Sequence, residues 1–249
     1  MVEQSQGNPV LKLGPNPKGQ VIYFFGAKHT NDPSDEQFVR IKDLFEGFLN
    51  CAKGAKVVFV EGVVREIPQI YEEAINQYGE SGAVQWLGME ACIDVIHPEP
   101  SDAEQREKLC ASFNSSDVAY AVIVQNLASW FRHESQTSFN EAIDRVLNRE
   151  SKFSSIYNFI PDRSWFNSQH KKLFGEQKLE DKKFLDLISN PRKSNTVINK
   201  VIGSRSKLRN KHILSVITKA WKSWNSIFIV YGKGHLVALE DTLKALVKN

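Results

Sequence analysis

Two histidines stand in the same short setting near opposite ends of this chain, in Gly26-Ala27-Lys28-His29 and in Gly232-Lys233-Gly234-His235. Each Gly-x-x-His follows an unbroken apolar run, Val21 to Phe25 and Ile227 to Tyr231, short and rich in β-branched and aromatic residues. Such runs, bounded by glycine and polar turns, read as buried strands, so each histidine is expected at a strand's carboxyl end. A carboxylate, Glu61, follows a third run, Lys56-Val57-Val58-Phe59-Val60. Two imidazoles and a carboxylate can hold a divalent ion and leave positions open for water, and this donor set suits Zn, Mn, Fe or Co. Without a metal, one histidine can serve as general base with Glu61 orienting its ring.

The elements that must bring these groups together follow from periodicity. After a turn-rich leader with Gly14, Pro15, Asn16, Pro17 and Gly19, the first strand leads into a helix starting near Ser34, with Ser34 and Gln37 as a capping box. Phe38, Ile41, Phe45, Phe48 and Leu49 form its apolar stripe, and Gly54 ends it. Strand, helix, strand implies a right-handed crossover and a parallel pair, which puts Glu61 on the same sheet edge as His29. In open α/β sheets that edge is where ligands bind. Gly26 and Gly232 are expected to permit a tight exit from their strands, or to let backbone N–H groups approach a ligand.

A helix is expected over residues 67–86, then a third strand from Ala91 to Ile96 leading into His97-Pro98-Glu99-Pro100. Glu90, Asp94, His97 and Glu99 are candidates to add a second carboxylate or ligand to the site. Ser101 and Glu104 read as the cap of a further helix, running to about Phe113. The pattern then stays mostly helical, with a long helix from Arg205 to Trp224 feeding the last strand and a final helix carrying Leu236, Leu239, Leu243 and Leu246. The expected fold is therefore α/β, a mainly parallel sheet flanked by helices. It is read as one domain over 1–249, with 101–204 as a mostly helical insertion.

Composition narrows the function classes. The 249 residues are 41% hydrophobic and 24% charged with a net charge of +3, which suits a globular chain and gives no support to a dedicated nucleic-acid binder. The basic stretch from Arg192 to Lys222, with Trp221 and Trp224 in or beside it, interleaves charge with an apolar face as an amphipathic helix does. Cys51, Cys92 and Cys110 are odd in number and lack C-x-x-C spacing, so a reducing cytoplasmic setting is expected. No signal peptide or membrane segment is read, and neither a phosphate-binding loop nor a Gly-x-Ser-x-Gly elbow is present. His133, His170 and His212 are read as structural.

Taken together, Phe25-Gly26-Ala27-Lys28-His29, Val60-Glu61, Arg209-Asn210 and Val230-Tyr231-Gly232-Lys233-Gly234-His235-Leu236 resemble the superfamily that joins the TraB and pheromone-shutdown proteins, the Tiki membrane proteases, the erythromycin esterases and the haem-binding ChaN proteins. The blocks cover about the first sixty and last forty-five residues. The resemblance implies an α/β fold with paired histidines and a glutamate in a central cleft. It further implies metal-assisted peptide hydrolysis or histidine-based ester hydrolysis, on a peptide or small-molecule substrate. On the same basis Arg209 would bind a substrate carboxylate or stabilise an oxyanion, and Asn210 would position water or a histidine. The alternatives are a non-catalytic module that holds haem, a peptide or another small ligand in the same cleft, and a regulatory protein that binds a partner through its helical middle. Oligomeric state leaves no trace in these residues.

Overall fold

The computed structural model describes residues 2–3, 7–63, 65–131, 137–223 and 225–248; His133 and Trp224, read above, lie outside them. The elements run β1 (Val2–Glu3), β2 (Val10–Leu13), β3 (Ile22–Ala27), α1 (Glu36–Cys51), β4 (Lys56–Val60), α2 (Tyr71–Glu90) and β5 (Asp94–Ile96). Then follow α3 (Asp102–Cys110), α4 (Ser115–Trp130), α5 (Phe139–Ser151), α6 (Ser154–Tyr157), α7 (Arg163–Phe174) and α8 (Lys182–Ile188). The chain closes with α9 (Val197–Lys222), β6 (Ser226–Gly232) and α10 (Lys233–Lys248). It divides into two units, one of residues 1–99 with 210–249 and the other Pro100–Arg209.

The first unit is an α/β sheet flanked by helices, with strand order β1-β2-β3-β6-β4-β5. The four strands β3, β6, β4 and β5 are parallel, and β1 and β2 add an antiparallel edge. One expectation is corrected here. The strands that carry His29 and Glu61 are parallel but not neighbours, because β6 enters between them and pairs with both. The crossover through α1 leaves one place open, and the C-terminal strand fills it.

Side-chain alternation explains why the strands read as continuous apolar runs. Tyr23 and Phe25 of β3 and Phe228 and Val230 of β6 face α1 and α2, where Phe38, Ile41, Phe45, Phe48 and Leu87 meet them. Ile22, Phe24, Ile227, Ile229 and Tyr231 face the other way, onto Ile213, Ile217 and Trp221 of α9 and Leu236, Leu239 and Leu243 of α10. A parallel sheet covered on both faces has no polar side to show.

The cap of α1 also differs from expectation. Asp35, not Ser34, accepts from Gln37 N–H, while the Ser34 hydroxyl bonds Asp32. Gln37 cannot close a capping box because its side chain is buried and already engaged by Asn8, Lys28 and Glu80. The helix placed at 67–86 runs instead from Tyr71 to Glu90, so the third strand shrinks to Asp94–Ile96.

The second unit is helical, with Tyr120, Val124, Leu127, Phe166, Leu185 and Ile202 among its core residues. Inside it the Arg106 guanidinium meets Glu150 at 2.6 Å, and both side chains are essentially inaccessible. The Tyr157 hydroxyl donates to the same carboxylate at 2.8 Å, so the buried charges are fully engaged. His170 has Tyr120 Oη and the Gln177 carbonyl at its two ring nitrogens. Among the described residues no helix is long and apolar enough to cross a membrane.

Phe228 lies at the centre of the first unit, its ring 5.0 Å from that of Phe45 and 5.5 Å from that of Phe48. Phe228→Ala is expected to lower the unfolding free energy by about 3–5 kcal/mol in urea titration, the usual cost of an emptied aromatic site.

Candidate functional site

Three adjacent strand ends build the cleft. β3 and β4 are followed by α1 and α2 on one face of the sheet, whereas β6, between them, is followed by α10 on the other. Neighbouring strands whose connections leave in opposite directions open a crevice at their carboxyl ends. His29 comes from the loop after β3, Glu61 directly follows β4, and His235 lies in the first turn of α10, three residues past β6.

Glu61 is the meeting point. Its Oε2 accepts the Gly232 backbone N–H at 2.7 Å and lies 3.9 Å from His29 Nε2; its Oε1 lies 3.6 Å from His235 Nε2. This sets a carboxylate against the amino end of α10, where the helix dipole favours negative charge. On the far side of the second ring, His235 Nδ1 is 2.6 Å from Asn210 Oδ1. An amide oxygen only accepts, so Nδ1 carries the hydrogen and Nε2 is the atom turned toward Glu61. Tyr231 packs edge-on against the same ring at 5.4 Å.

Sequence reasoning missed Glu80. Its Oε2 is 3.8 Å from His29 Nδ1, while its Oε1 accepts from Gln37 Nε2 at 3.0 Å and from Thr30 N–H at 3.1 Å. A second carboxylate thus reaches the cleft from within α2. Burial pushes the Glu80 carboxyl up, but His29 and the Thr30 N–H outweigh it and hold the group below the ordinary glutamate range. The detectable signal was Gly79, the first of three glycines, with Gly82 and Gly88, in a helical pattern. At φ +56° and ψ −136° it breaks α2 and seats the helix on the His29 loop. A Cβ there would lie 2.8 Å from both Thr30 O and Asn31 Oδ1.

The glycines of the two motifs act by closeness rather than by turning the chain. Gly26 pairs within β3, and a Cβ on it would meet Pro9 Cγ at 2.8 Å. Gly232 ends β6, and a Cβ on it would lie 2.5 Å from His29 Nε2 and 3.3 Å from Glu61 Oε2. The left-handed backbone is at His29 itself, at φ +63°, and at Gly62, at φ +94°.

Comparison with family models, with curated proteins and with solved structures returns no match. Of the five expected site residues, His29, Glu61, Asn210 and His235 converge in the first unit. Arg209 precedes Asn210 on α9 and ends the second unit. Within that unit it bears on Arg205, whose guanidinium is pushed down to about 10 by burial and then by the nearby Arg209 and Arg106 charges.

The donor types and their orientation suit a divalent ion: both rings turn Nε2 to Glu61, His235 is fixed by the Asn210 oxygen at Nδ1 as metal-binding histidines are, and Glu80 Oε2 faces His29 Nδ1 at 3.8 Å. The spacing is looser than ligation. Among the described residues no group of three or more His, Cys, Asp or Glu side chains is placed to hold an ion as it stands. Tetrahedral bonds of about 2.0 Å put donor atoms about 3.3 Å apart, so both gaps to Glu61 must shrink by a few tenths of an ångström.

Two outcomes follow for the glycines and for pH. Gly232→Ala meets the movable ends of His29 and Glu61 and is expected to change stability by less than about 1 kcal/mol while swinging the His29 ring away from Glu61, read by urea unfolding and histidine NMR. Gly79→Ala meets backbone at a glycine-only conformation and is expected to cost roughly 1–3 kcal/mol in the same titration. A lowered carboxyl stabilises above the unfolded value and loses that contribution as pH falls through its lower folded value. The melting temperature of wild type should therefore exceed that of Glu80→Gln near neutrality, and the two should converge as pH falls below the ordinary 4.5.

Proposed function

We propose that the chain is a cytoplasmic hydrolase of the TraB, Tiki and erythromycin esterase type, in which the cleft at Glu61 activates water against an amide or ester carbonyl. The observation that carries this reading is Glu61 set between two imidazoles whose Nε2 atoms both turn toward it. Free cysteines, two of them exposed, support a reducing compartment.

His29 is the more open ring, its side chain 40% exposed against 12% for His235, and its Nε2 is the atom that takes the proton from water. His235, its Nδ1–H given to Asn210, turns Nε2 toward the other oxygen of Glu61 at 3.6 Å, while the Gly232 N–H at 2.7 Å keeps the carboxylate in place. The residues that would hold a divalent ion are His29, Glu61 and His235. When bound, such an ion supplies Lewis-acid polarisation of the carbonyl and a more acidic water. These residues all belong to the first unit, and Arg209, expected to assist, ends the second.

The test is a panel of ester and peptide substrates, run with and without Mn, Co or Zn on wild type, His29→Ala and His235→Ala, all checked for folding by circular dichroism. Each substitution is expected to lower kcat/KM by about 100-fold or more. Elemental analysis of chelator-free protein should find a metal that the double variant lacks. Turnover retained in either single variant would sink the arrangement.

A further inference from the structure

We infer that Glu80 is a positioning residue that keeps the hydrogen of the neutral His29 ring on Nδ1 and thereby presents a bare Nε2 to the cleft; the inference rests on the reading of His29 as the base. The ring lies between two carboxylates at nearly equal distance, 3.8 Å to Glu80 Oε2 and 3.9 Å to Glu61 Oε2. Distance alone does not choose between the two nitrogens. The surroundings of the two oxygens do.

Glu61 Oε2 already accepts the Gly232 N–H at 2.7 Å, and its side chain is 26% exposed, so water also reaches it. Glu80 is 11% exposed, and Thr30 N–H and Gln37 Nε2 both bond its Oε1. Its Oε2 faces His29 Nδ1 in a place where solvent compensates little for a missing donor. A hydrogen on Nδ1 therefore stabilises more than one on Nε2. Gln37 is itself fixed by Asn8 and the Lys28 N–H, so the orientation of Glu80 is inherited from α1 and from the loop that carries His29. The kink at Gly79 brings the carboxylate within reach, since the Cβ excluded by Thr30 O and Asn31 Oδ1 would push α2 off this loop.

Replacement by glutamine gives a directional outcome. The new side chain has one oxygen, which the Thr30 and Gln37 donors claim, and its NH2 group then faces Nδ1 as a donor. The ring must accept at Nδ1 and carry its hydrogen on Nε2. Glu80→Gln thus reverses the tautomer while leaving shape almost unchanged.

The experiment is 15N-edited NMR of histidine-labelled full-length protein, without added metal, at a pH where the rings are neutral, with His29 assigned by His29→Ala. Wild type is expected to show an Nδ1–H tautomer at His29 and Glu80→Gln an Nε2–H tautomer, with His235 unchanged. An Nε2–H or evenly mixed wild type overturns the inference, and so does a Glu80→Gln spectrum that matches wild type. Should Glu80→Gln fold poorly, Glu80→Asp, which withdraws the oxygen but keeps its charge, is expected to give a mixture; an unchanged tautomer there overturns the inference equally. A protein with the expected tautomers and no turnover on any substrate would instead refute the hydrolase reading. With an active substrate, Glu80→Gln should lower kcat by about 10²–10⁴-fold with little change in KM, the signature of a base in the wrong tautomer.

Discussion

The hydrogen bond from the Gly232 N–H to Glu61 Oε2, 2.7 Å long, joins residues 171 positions apart. It forms because β6, the C-terminal strand among the described residues, lies directly beside β4 and runs on to Gly232 past the pairing of Val230 with Val60, the end of β4. The same insertion puts β3 on the other side of β6, with Ala27 opposite Gly232. Three chain segments that could have ended anywhere on the sheet are thus forced to one edge at successive positions.

Local chemistry carried much of this into the sequence. The buried strands were legible because a parallel sheet covered on both faces admits no polar alternation, and Phe38, Ile41, Phe45 and Phe48 betray the helix over it by their spacing. His29, Glu61 and His235 were legible because each follows such a strand. What escaped was what no short window contains. The place of β6 depends on which slot the crossover leaves open, a property of the whole sheet. Glu80 looked like one more polar residue of a helix, and only the break at Gly79 distinguishes it. Gln37 was assigned to a cap because Ser-x-x-Gln is a local pattern, yet its side chain is claimed by tertiary partners.

The two motifs, alike in sequence, fold differently. After Gly26 the chain passes through a left-handed His29 and a loop before α1 begins at Glu36; after Gly232 the helix starts at once and His235 is in its first turn. The rings consequently meet different partners at Nδ1, a buried carboxylate for His29 and a neutral amide for His235. A carboxylate stabilises positive charge on its ring far more than an amide does, so symmetry of sequence becomes asymmetry of chemistry. A cleft with one ring supported by charge and one supported by a dipole is suited to moving a proton at the first and keeping geometry at the second.

Backbone strain points to the same place. Among described non-glycine residues, positive φ occurs at His29, Cys92 and Asn158. Asn158 is an ordinary left-handed helix cap and Cys92 turns the chain after α2, whereas His29 ends no helix. Beside it stand Gly62 and Gly79, also at positive φ, each adjacent to a cleft carboxylate. Glycine adopts such backbone freely, whereas a left-handed histidine costs about 1–2 kcal/mol. That the strained histidine is the one whose ring faces Glu61 and Glu80 is accounted for if the position of that ring, rather than the stability of its loop, is what the backbone is shaped to secure.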